Sequence, residues 1–386
     1  MKKIVHLCLG NFFMDGASYQ ENMLTKYHVK MGYDVTVIAG LLSYGPDGKG
    51  IILDGPKTYQ DPNGMKIVRL AYASPFKYGH FMMKYVGVRE ALETEKPDII
   101  FCHNLQFGDS GIVANYLKQH SEVKFYADNH GDYVNSARNW RSRVFKHKLM
   151  WKYYVKKLEP YLTKVYGVTP MRCRFLKEMY NIKPSLVDFL PMGVDDEAIP
   201  QDRDAVRRNI RKELGLAEDD IIVMTGGKIE MRKNTHYLYE AFEKLNNPKL
   251  HLVVCGTFTP VMAPLEEKMK KNRNIHLLGW CNAERVMNVM VASDFVCFPG
   301  THSTLWEQSV GVGLPAIFKH WNEIDHVNVN GNCIFVKGKD VEEIKQALTS
   351  MTDRETYQHY KELVRQASSS FLYSDIARKS IDAWKI

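Results

Sequence analysis

Strand-length apolar runs alternate with helix-like segments along the whole chain. In the first half the runs are KKIVHLCL, DVTVIAG, MKIVRLAY, DIIFCHN, VKFYADN and KVYGVT; in the second they are IIVMTGG, LHLVVCG, IHLLGW, DFVCFPG, PAIFKHW and CIFVKG. This alternation predicts parallel sheets wrapped by helices, because a parallel crossover needs a long return segment. Helical segments are predicted over 235–245 and 283–292. The two series of runs predict two Rossmann-like domains. Between them, LPMGVDDEAIPQDRDAVRRN carries Pro191, Gly193 and Pro200, which break regular structure, so a boundary is expected near residue 195. The expected domains are 1–195 and 196–370, followed by a terminal helix over 371–386 that in a two-lobed protein can cross back to the first domain. Ligands of such sheets bind at the carboxyl ends of the strands, so chemistry is expected between the lobes.

Composition narrows the class. With 386 residues, 45% hydrophobic and 25% charged, the chain suits two soluble domains, each with its own core. No window is apolar enough for a spanning helix, and the short run after Lys2 and Lys3 lacks a cleavage site, so it reads as the first strand. Seven scattered cysteines without a C-x-x-C pair read as buried thiols of a reducing cytosol. The net charge of +8 is uneven: residues 1–195 hold 27 basic against 18 acidic side chains, and residues 138–183 hold 13 against 2. That segment also carries Trp140, Phe145, Trp151, Tyr153 and Tyr154. A basic, aromatic helix can lie on an anionic membrane surface, which gives a cytoplasmic protein peripheral on the inner face of the membrane. A solvated helix with its aromatics in the core is the competing reading. No nucleic-acid motif accompanies the charge, so no nucleic-acid partner is expected.

Three stretches carry candidate chemistry. GGKIEMRKN joins an apolar strand to a helix through Gly226 and Gly227, with Lys228, Arg232 and Lys233 following. A strand that ends in glycines and opens a helix offers backbone N–H groups and a positive dipole end, which with the cations suits a phosphate or diphosphate. ADNHGDY places Asn129, His130 and Asp132 at a strand's carboxyl end, where His130 can orient a sugar hydroxyl or move a proton. FPGTHSTLWEQSVGVGLPAIF ends a strand, holds Thr301, His302 and Ser303 in a polar loop, and opens a helix at Trp306 and Glu307. A carboxylate there can accept both hydrogen bonds of a ribose diol. GNFFMDGAS, with Gly10 and Gly16, can approach a phosphate or sugar by its backbone but lacks the dinucleotide fingerprint, so no nicotinamide cofactor is expected.

These stretches resemble the retaining glycosyltransferases of family 4, whose GT-B architecture is two facing Rossmann-like domains. GGKIEMRKN is similar to the family's Gly-Arg-x-x-x-x-Lys-Gly donor-phosphate tract, with Lys228 in place of the arginine and Lys233 in place of the lysine. Residues 167–195 are similar to the close of its first domain, with Met192 where an asparagine is usual. IHLLGWCNAERV resembles the segment that meets the nucleotide base after Gly279, next to Trp280. The family's two glutamates, separated by seven intervening residues, are not both present: measured back from Gly313-Leu314-Pro315, the second falls on Gln308, beside Glu307, and the first on Gly300. Glu307 is the expected ribose contact, and Thr301, His302 and Ser303 are candidates to replace the first glutamate.

The resemblance implies transfer of a sugar, with retention, from a nucleotide diphosphate sugar, UDP-sugar favoured, to a saccharide or lipid-linked saccharide in bacterial surface polysaccharide or glycan assembly. It implies no bound metal, with His130, Lys228 and Lys233 as catalytic residues and Gly16, Gly227 and Gly279 as backbone contacts to the donor. A GT-B nucleotide-sugar epimerase and a catalytically idle sugar-nucleotide-binding membrane scaffold are the alternatives.

Overall fold

In the first half the apolar runs become β1 (Lys3–Cys8), β2 (Asp34–Gly40), β6 (Lys66–Leu70), β7 (Ile99–His103), β8 (Lys124–Asn129) and β9 (Leu162–Gly167). Four further strands were not anticipated: β3 (Leu42–Tyr44), β4 (Gly50–Ile52), β5 (Lys57–Gln60) and β10 (Val187–Phe189). In the computed structural model, which describes residues 1–44, 50–74 and 81–382, eight of these strands form one sheet in the order β10-β9-β8-β7-β1-β2-β6-β5. Only β5 runs antiparallel within it, while β3 and β4 make a separate antiparallel pair. The central strands β1 and β7 are buried along nearly their whole length, which is why they read as unbroken apolar runs rather than alternating ones.

The second half yields β11 (Ile221–Gly226), β12 (Leu250–Cys255), β13 (Ile275–Gly279), β14 (Phe295–Phe298), β15 (Ala316–Lys319) and β16 (Cys333–Val336). They form a parallel sheet in the order β13-β12-β11-β14-β15-β16. Helices Thr235–Leu245 and Ala283–Ala292 occupy the predicted segments. Both sheets share one winding plan. The chain builds outward from the first strand of each sheet, then returns to its other side, so the order reverses between β1 and β7 and between β11 and β14. Such reversal points leave a crevice beyond the strands' carboxyl ends, and the candidate residues fall there.

Two compact units result, Met1–Pro191 with Ile376–Ile386, and Met192–Asp375. The division thus falls at Pro191, a little before the expected boundary near 195, because Val194 is stitched into the second unit. Its N–H donates to Phe371 O, and its carbonyl accepts from Tyr373 N–H. The same stitch holds residues 371–375 in the second unit, so the segment that joins the first unit begins at Ile376 rather than 371. There it docks through backbone carbonyls: Lys379 O accepts from Tyr166 Oη at 3.0 Å. Residues 383–386 of the expected terminal helix lie outside the described residues.

Candidate active site

In the second unit the glycine tract is a backbone-on-backbone contact. A Cβ on Gly256 would stand 1.8 Å from Gly227 O, so strand ends β11 and β12 approach as only glycine permits. Gly227 itself takes φ +92°, and its N–H donates to Cys255 O. A short 3-10 turn over Met231–Lys233 and a left-handed Asn234 then open the helix Thr235–Leu245. The loop after β14 lies on this turn. A Cβ on Gly300 would meet the Lys233 backbone at 2.2 Å, Thr301 N–H donates to Arg232 O at 2.9 Å, and Asn234 Nδ2 donates to Pro299 O at 2.9 Å. At Gly300, therefore, the loop has no room for a side chain.

The two lysines differ. Lys228 is exposed, and among the described residues none holds it by a hydrogen bond or ion pair. Lys233 is half-buried and donates from Nζ to Thr301 O at 3.0 Å and His302 O at 3.3 Å. Burial disfavours its charge and brings its pKa down from the ordinary lysine value to about 8. Arg232 pairs with Glu230 at 2.7 Å and stays at the surface. Thr301 and Ser303 are partly buried, Thr301 bonded to Lys233 through its carbonyl, while Gly279 ends β13 with Trp280 70% exposed after it.

Glu307 departs from expectation. It is wholly buried in the helix Leu305–Val312, and its Oε1 takes His302 Nε2 at 2.7 Å and His326 Nε2 at 2.9 Å. Burial alone raises a carboxylic acid's pKa, but His302 and His326 override it and hold Glu307 well below the usual carboxylate range. A carboxylate so enclosed is not open to a ribose. Gln308, one residue on and rotated about 100° around the helix, is the partly exposed neighbour. Beside them Trp306 is buried and stacked on Phe318 with centroids 4.6 Å apart. The ligand atoms of His302, Glu307 and His326 lie within 4.8 Å of one another, a donor set of the kind that holds a divalent metal. His326 escaped the sequence reading. Its only signal is its position beyond the carboxyl end of β15, 19 residues along the chain from Glu307.

In the first unit His130 follows β8 and lines a cavity of about 530 Å³ with Gly10, Asn104, Gln106, Lys146 and Trp151. Its N–H donates to Asn104 Oδ1 at 2.9 Å, its carbonyl accepts from Asn135 Nδ2 at 2.7 Å, and its Nε2 stands 3.4 Å from Asp128 Oδ2. Asp128, buried within β8, was not anticipated. Burial acts to raise its pKa, yet His103 and His130 keep it far below the ordinary value. The polar neighbours of His130 in the ADNHGDY stretch have structural tasks. Asp132 caps the turn through Val134 and Asn135 N–H and pairs with Arg172 at 3.1 Å, while Asn129 bonds Gln106 and Gly131. Gly16 is exposed on the loop after β1 with φ +72°.

The basic segment is a π-helix over Ser142–Trp151 continued by the helix Lys152–Leu158. Its aromatics divide between two environments. Trp151 is buried, whereas Trp140, Phe145, Leu149 and Tyr153 are each about 60% exposed. No helix among the described residues is long and apolar enough to cross a membrane.

Two parallel α/β units, each with its polar residues gathered at a reversal point of the sheet, define an enzyme of the GT-B class. Residues 14–198 match the family described as Glycosyltransferase Family 4, and residues 206–369 match Glycosyl transferases group 1. The chain belongs to this family of glycosyltransferases. It is 19% identical over 348 residues to an uncharacterized glycosyltransferase, MJ1607 of Methanocaldococcus jannaschii, covering 85% of this chain and 86% of that protein. Among solved structures it is similar to Anabaena HepE in complex with UDP, at TM-score 0.70 and 13% identity over 99% of both chains. It is likewise similar to WaaG, a glycosyltransferase involved in lipopolysaccharide biosynthesis, at TM-score 0.68 and 16% identity over 98% of this chain and 99% of that one.

Proposed function

We propose that this protein transfers a sugar from a nucleoside diphosphate sugar, UDP-sugar favoured, to a saccharide or lipid-linked saccharide acceptor, with retention and without a bound metal. The observation that carries this is the glycine-packed reversal point of the second sheet, whose glycine tract carries an exposed Lys228 with no hydrogen bond or ion pair and a half-buried Lys233. Lys228 is free to meet a diphosphate directly. Lys233, held between two carbonyls at the edge of burial, gains most from an anion, since burial has already weakened its hydration. Together with the N-terminal end of Thr235–Leu245, they take the role a metal plays elsewhere, stabilising the charge that gathers on the leaving diphosphate. His130 orients a sugar hydroxyl or moves a proton from its place at the cavity in the first unit. The similarity to HepE, which binds UDP and also UDP-glucose, favours the uridine donor.

A lipid-linked acceptor in surface polysaccharide assembly fits the exposed aromatic and basic face around Trp140 to Tyr153, which suits an anionic membrane from the cytoplasmic side. The similarity to WaaG points the same way.

The test is a thermal-shift panel of nucleotide sugars followed by a product assay. A donor present at about 100 times its dissociation constant stabilises by roughly 2.7 kcal/mol. Transfer is supported when nucleoside diphosphate accumulates only with acceptor and accumulation is lost in Lys233→Ala. Interconversion of the donor sugar without acceptor indicates epimerisation instead. Retention is read from the anomeric configuration of the product. Failure of the protein to bind anionic liposomes at low salt removes the membrane element.

A further inference from the structure

Beneath the cavity that His130 lines, the first unit holds a continuous chain of buried imidazoles. His6 lies on β1, His103 on β7 and His28 on the helix Gln20–Lys30, and all three are fully buried. His6 Nδ1 is 3.0 Å from His103 Nε2, and His6 Nε2 is 2.9 Å from His28 Nδ1. At one end His103 Nδ1 lies 2.8 Å from Asp128 Oδ2, the oxygen that also faces His130. At the other, His28 Nε2 lies 3.1 Å from both Ala377 O and Ser380 Oγ on the helix Tyr373–Ser380.

The donors and acceptors along this chain can be counted. Ala377 O and the Asp128 carboxylate only accept. If His28 donates from Nε2 to Ala377 O, then His6 donates from Nε2 to His28, and His103 donates from Nε2 to His6. His103 must also donate from Nδ1 to Asp128, so it is an imidazolium: these four hydrogen bonds need four protons, and three neutral rings carry three. Ser380 offers the alternative. Its hydroxyl donates to Ala377 O at 2.8 Å, but it can turn to donate to His28 Nε2 instead. Every ring then donates from Nδ1 toward Asp128, and all three are neutral. The two states differ by one proton and by the tautomers of His6 and His28.

We propose that His28, His6, His103 and Asp128 form a buried proton relay, with Ser380 as its switch, that sets the charge His130 presents to the cavity. With the relay neutral, the Asp128 charge is left to favour a protonated His130. With His103 an imidazolium, that charge is already neutralised and His130 releases its proton more readily. Burial drives both His6 and His28 toward the neutral form, His6 well below the ordinary histidine value and His28 to about 4, and of the three rings only His103 is hydrogen-bonded to a carboxylate. The other groups facing the relay are few. Glu21, on the same helix as His28, is pushed upward by burial and opposed by His103 and His130; Cys8 on β1 and Cys102 on β7 are pushed well up by burial and stay thiols; Tyr33 meets the His28 ring edge-on at 6.2 Å.

Only the functional consequence rests on the role proposed for His130; the proton count does not. The full-length protein with isotopically labelled histidine gives the ring tautomers directly by nitrogen NMR. His6 and His28 are expected to change tautomer together as pH is varied. Ser380→Ala, which keeps only the carbonyl acceptor, is expected to fix both as Nε2–H and to move the His130 midpoint down, as the Asp128 charge it faces is neutralised. Ser380→Thr restores the hydroxyl and the wild-type pattern. In an active preparation, the limb of kcat/KM against pH that reports His130 moves with it. The proposal is overturned if Ser380→Ala leaves the tautomers and the His130 midpoint where they were. Tautomers that respond as expected in a protein that turns over no nucleotide sugar uphold the relay and count against the transferase reading alone.

Discussion

The two reversal points share a topology and differ in what they are made of. Between β11 and β14 the working surface is backbone: glycines let three chain segments touch, and two lysines stand at the rim. Between β1 and β7, continuing onto β8, it is side chain: imidazoles and a carboxylate lie hydrogen-bonded inside the sheet, with His130 as the member that reaches a cavity. The difference follows from the ligand each can serve. An anion is held by N–H groups and cations that it can approach, so the surface must stay open. A proton is controlled by groups whose charge is costly, so they must be buried and paired. One winding plan thus supports two kinds of chemistry, and perturbing each should fail in its own way.

The largest expected effect lies where the second unit departs from this rule, at its one enclosed carboxylate. Glu307→Gln leaves two imidazoles without their charged partner and is expected to reduce unfolding free energy by ~3–5 kcal/mol, the cost of breaking a buried pair. Because the folded state lowers the Glu307 pKa, its contribution is present above the unfolded carboxylate value of about 4.3 and is lost as pH falls toward the folded value. Urea unfolding of the variant, repeated at acid pH, checks both statements. Wild-type stability in the variant would make Glu307 a surface-like group after all.

Next come the lysines, whose loss should strike the reaction and spare the fold. Lys233→Ala is expected to raise the barrier by ~2.7–4 kcal/mol, or about 10²–10³ in kcat, and Lys228→Ala by at least ~2–3 kcal/mol. The melting temperature should barely move for Lys228, which is exposed and has no hydrogen bond or ion pair among the described residues to lose. Near-normal turnover in either variant would break the contrast between an open anion site and a buried network.

A smaller effect sharpens the same contrast by pH. The Lys233 ammonium titrates at about 8 in the free protein. Below that value it is ready for a diphosphate; above it, binding must first take up a proton, so affinity is expected to fall about tenfold per pH unit. Calorimetry of UDP binding in buffers of different ionisation enthalpy reads the proton directly. Affinity that stays flat above the lysine midpoint would show that Lys233 does not meet the phosphate.

What the sequence revealed follows the same division. The sheets were legible because strands buried on both faces must be apolar throughout, and GGKIEMRKN was legible because phosphate chemistry needs glycines and cations close together in one stretch. Strands β4 and β5 were not, since β5 (KTYQ) carries no apolar pattern and β4 is three residues long, with its two isoleucines exposed. The relay was invisible for a deeper reason. His6 sits in KKIVHLCL and His103 in DIIFCHN as single polar residues in core strands, and only strand pairing brings them together. Glu307 was found as a residue but its enclosure was not, because His326, which helps to enclose it, lies on a separate loop.

The smallest expected effect is none at all, and it bears on whether the second site is an anion site or a metal site. His302 and His326 both direct Nε2 at a single oxygen of Glu307, at 2.7 and 2.9 Å. Around a tetrahedral zinc with bonds of about 2.0–2.1 Å, neighbouring ligand atoms stand ~3.3 Å apart. The observed spacings are those of N–H groups donating to a carboxylate, and a metal would have to displace both protons and force the three groups outward. Chelation during purification and assay is therefore expected to leave transfer unchanged. If chelation abolishes transfer and zinc restores it in the wild type but not in His326→Ala, the charge on the leaving group is met by an ion rather than by Lys228 and Lys233. The second reversal point would then resemble the first, with its chemistry built from enclosed side chains.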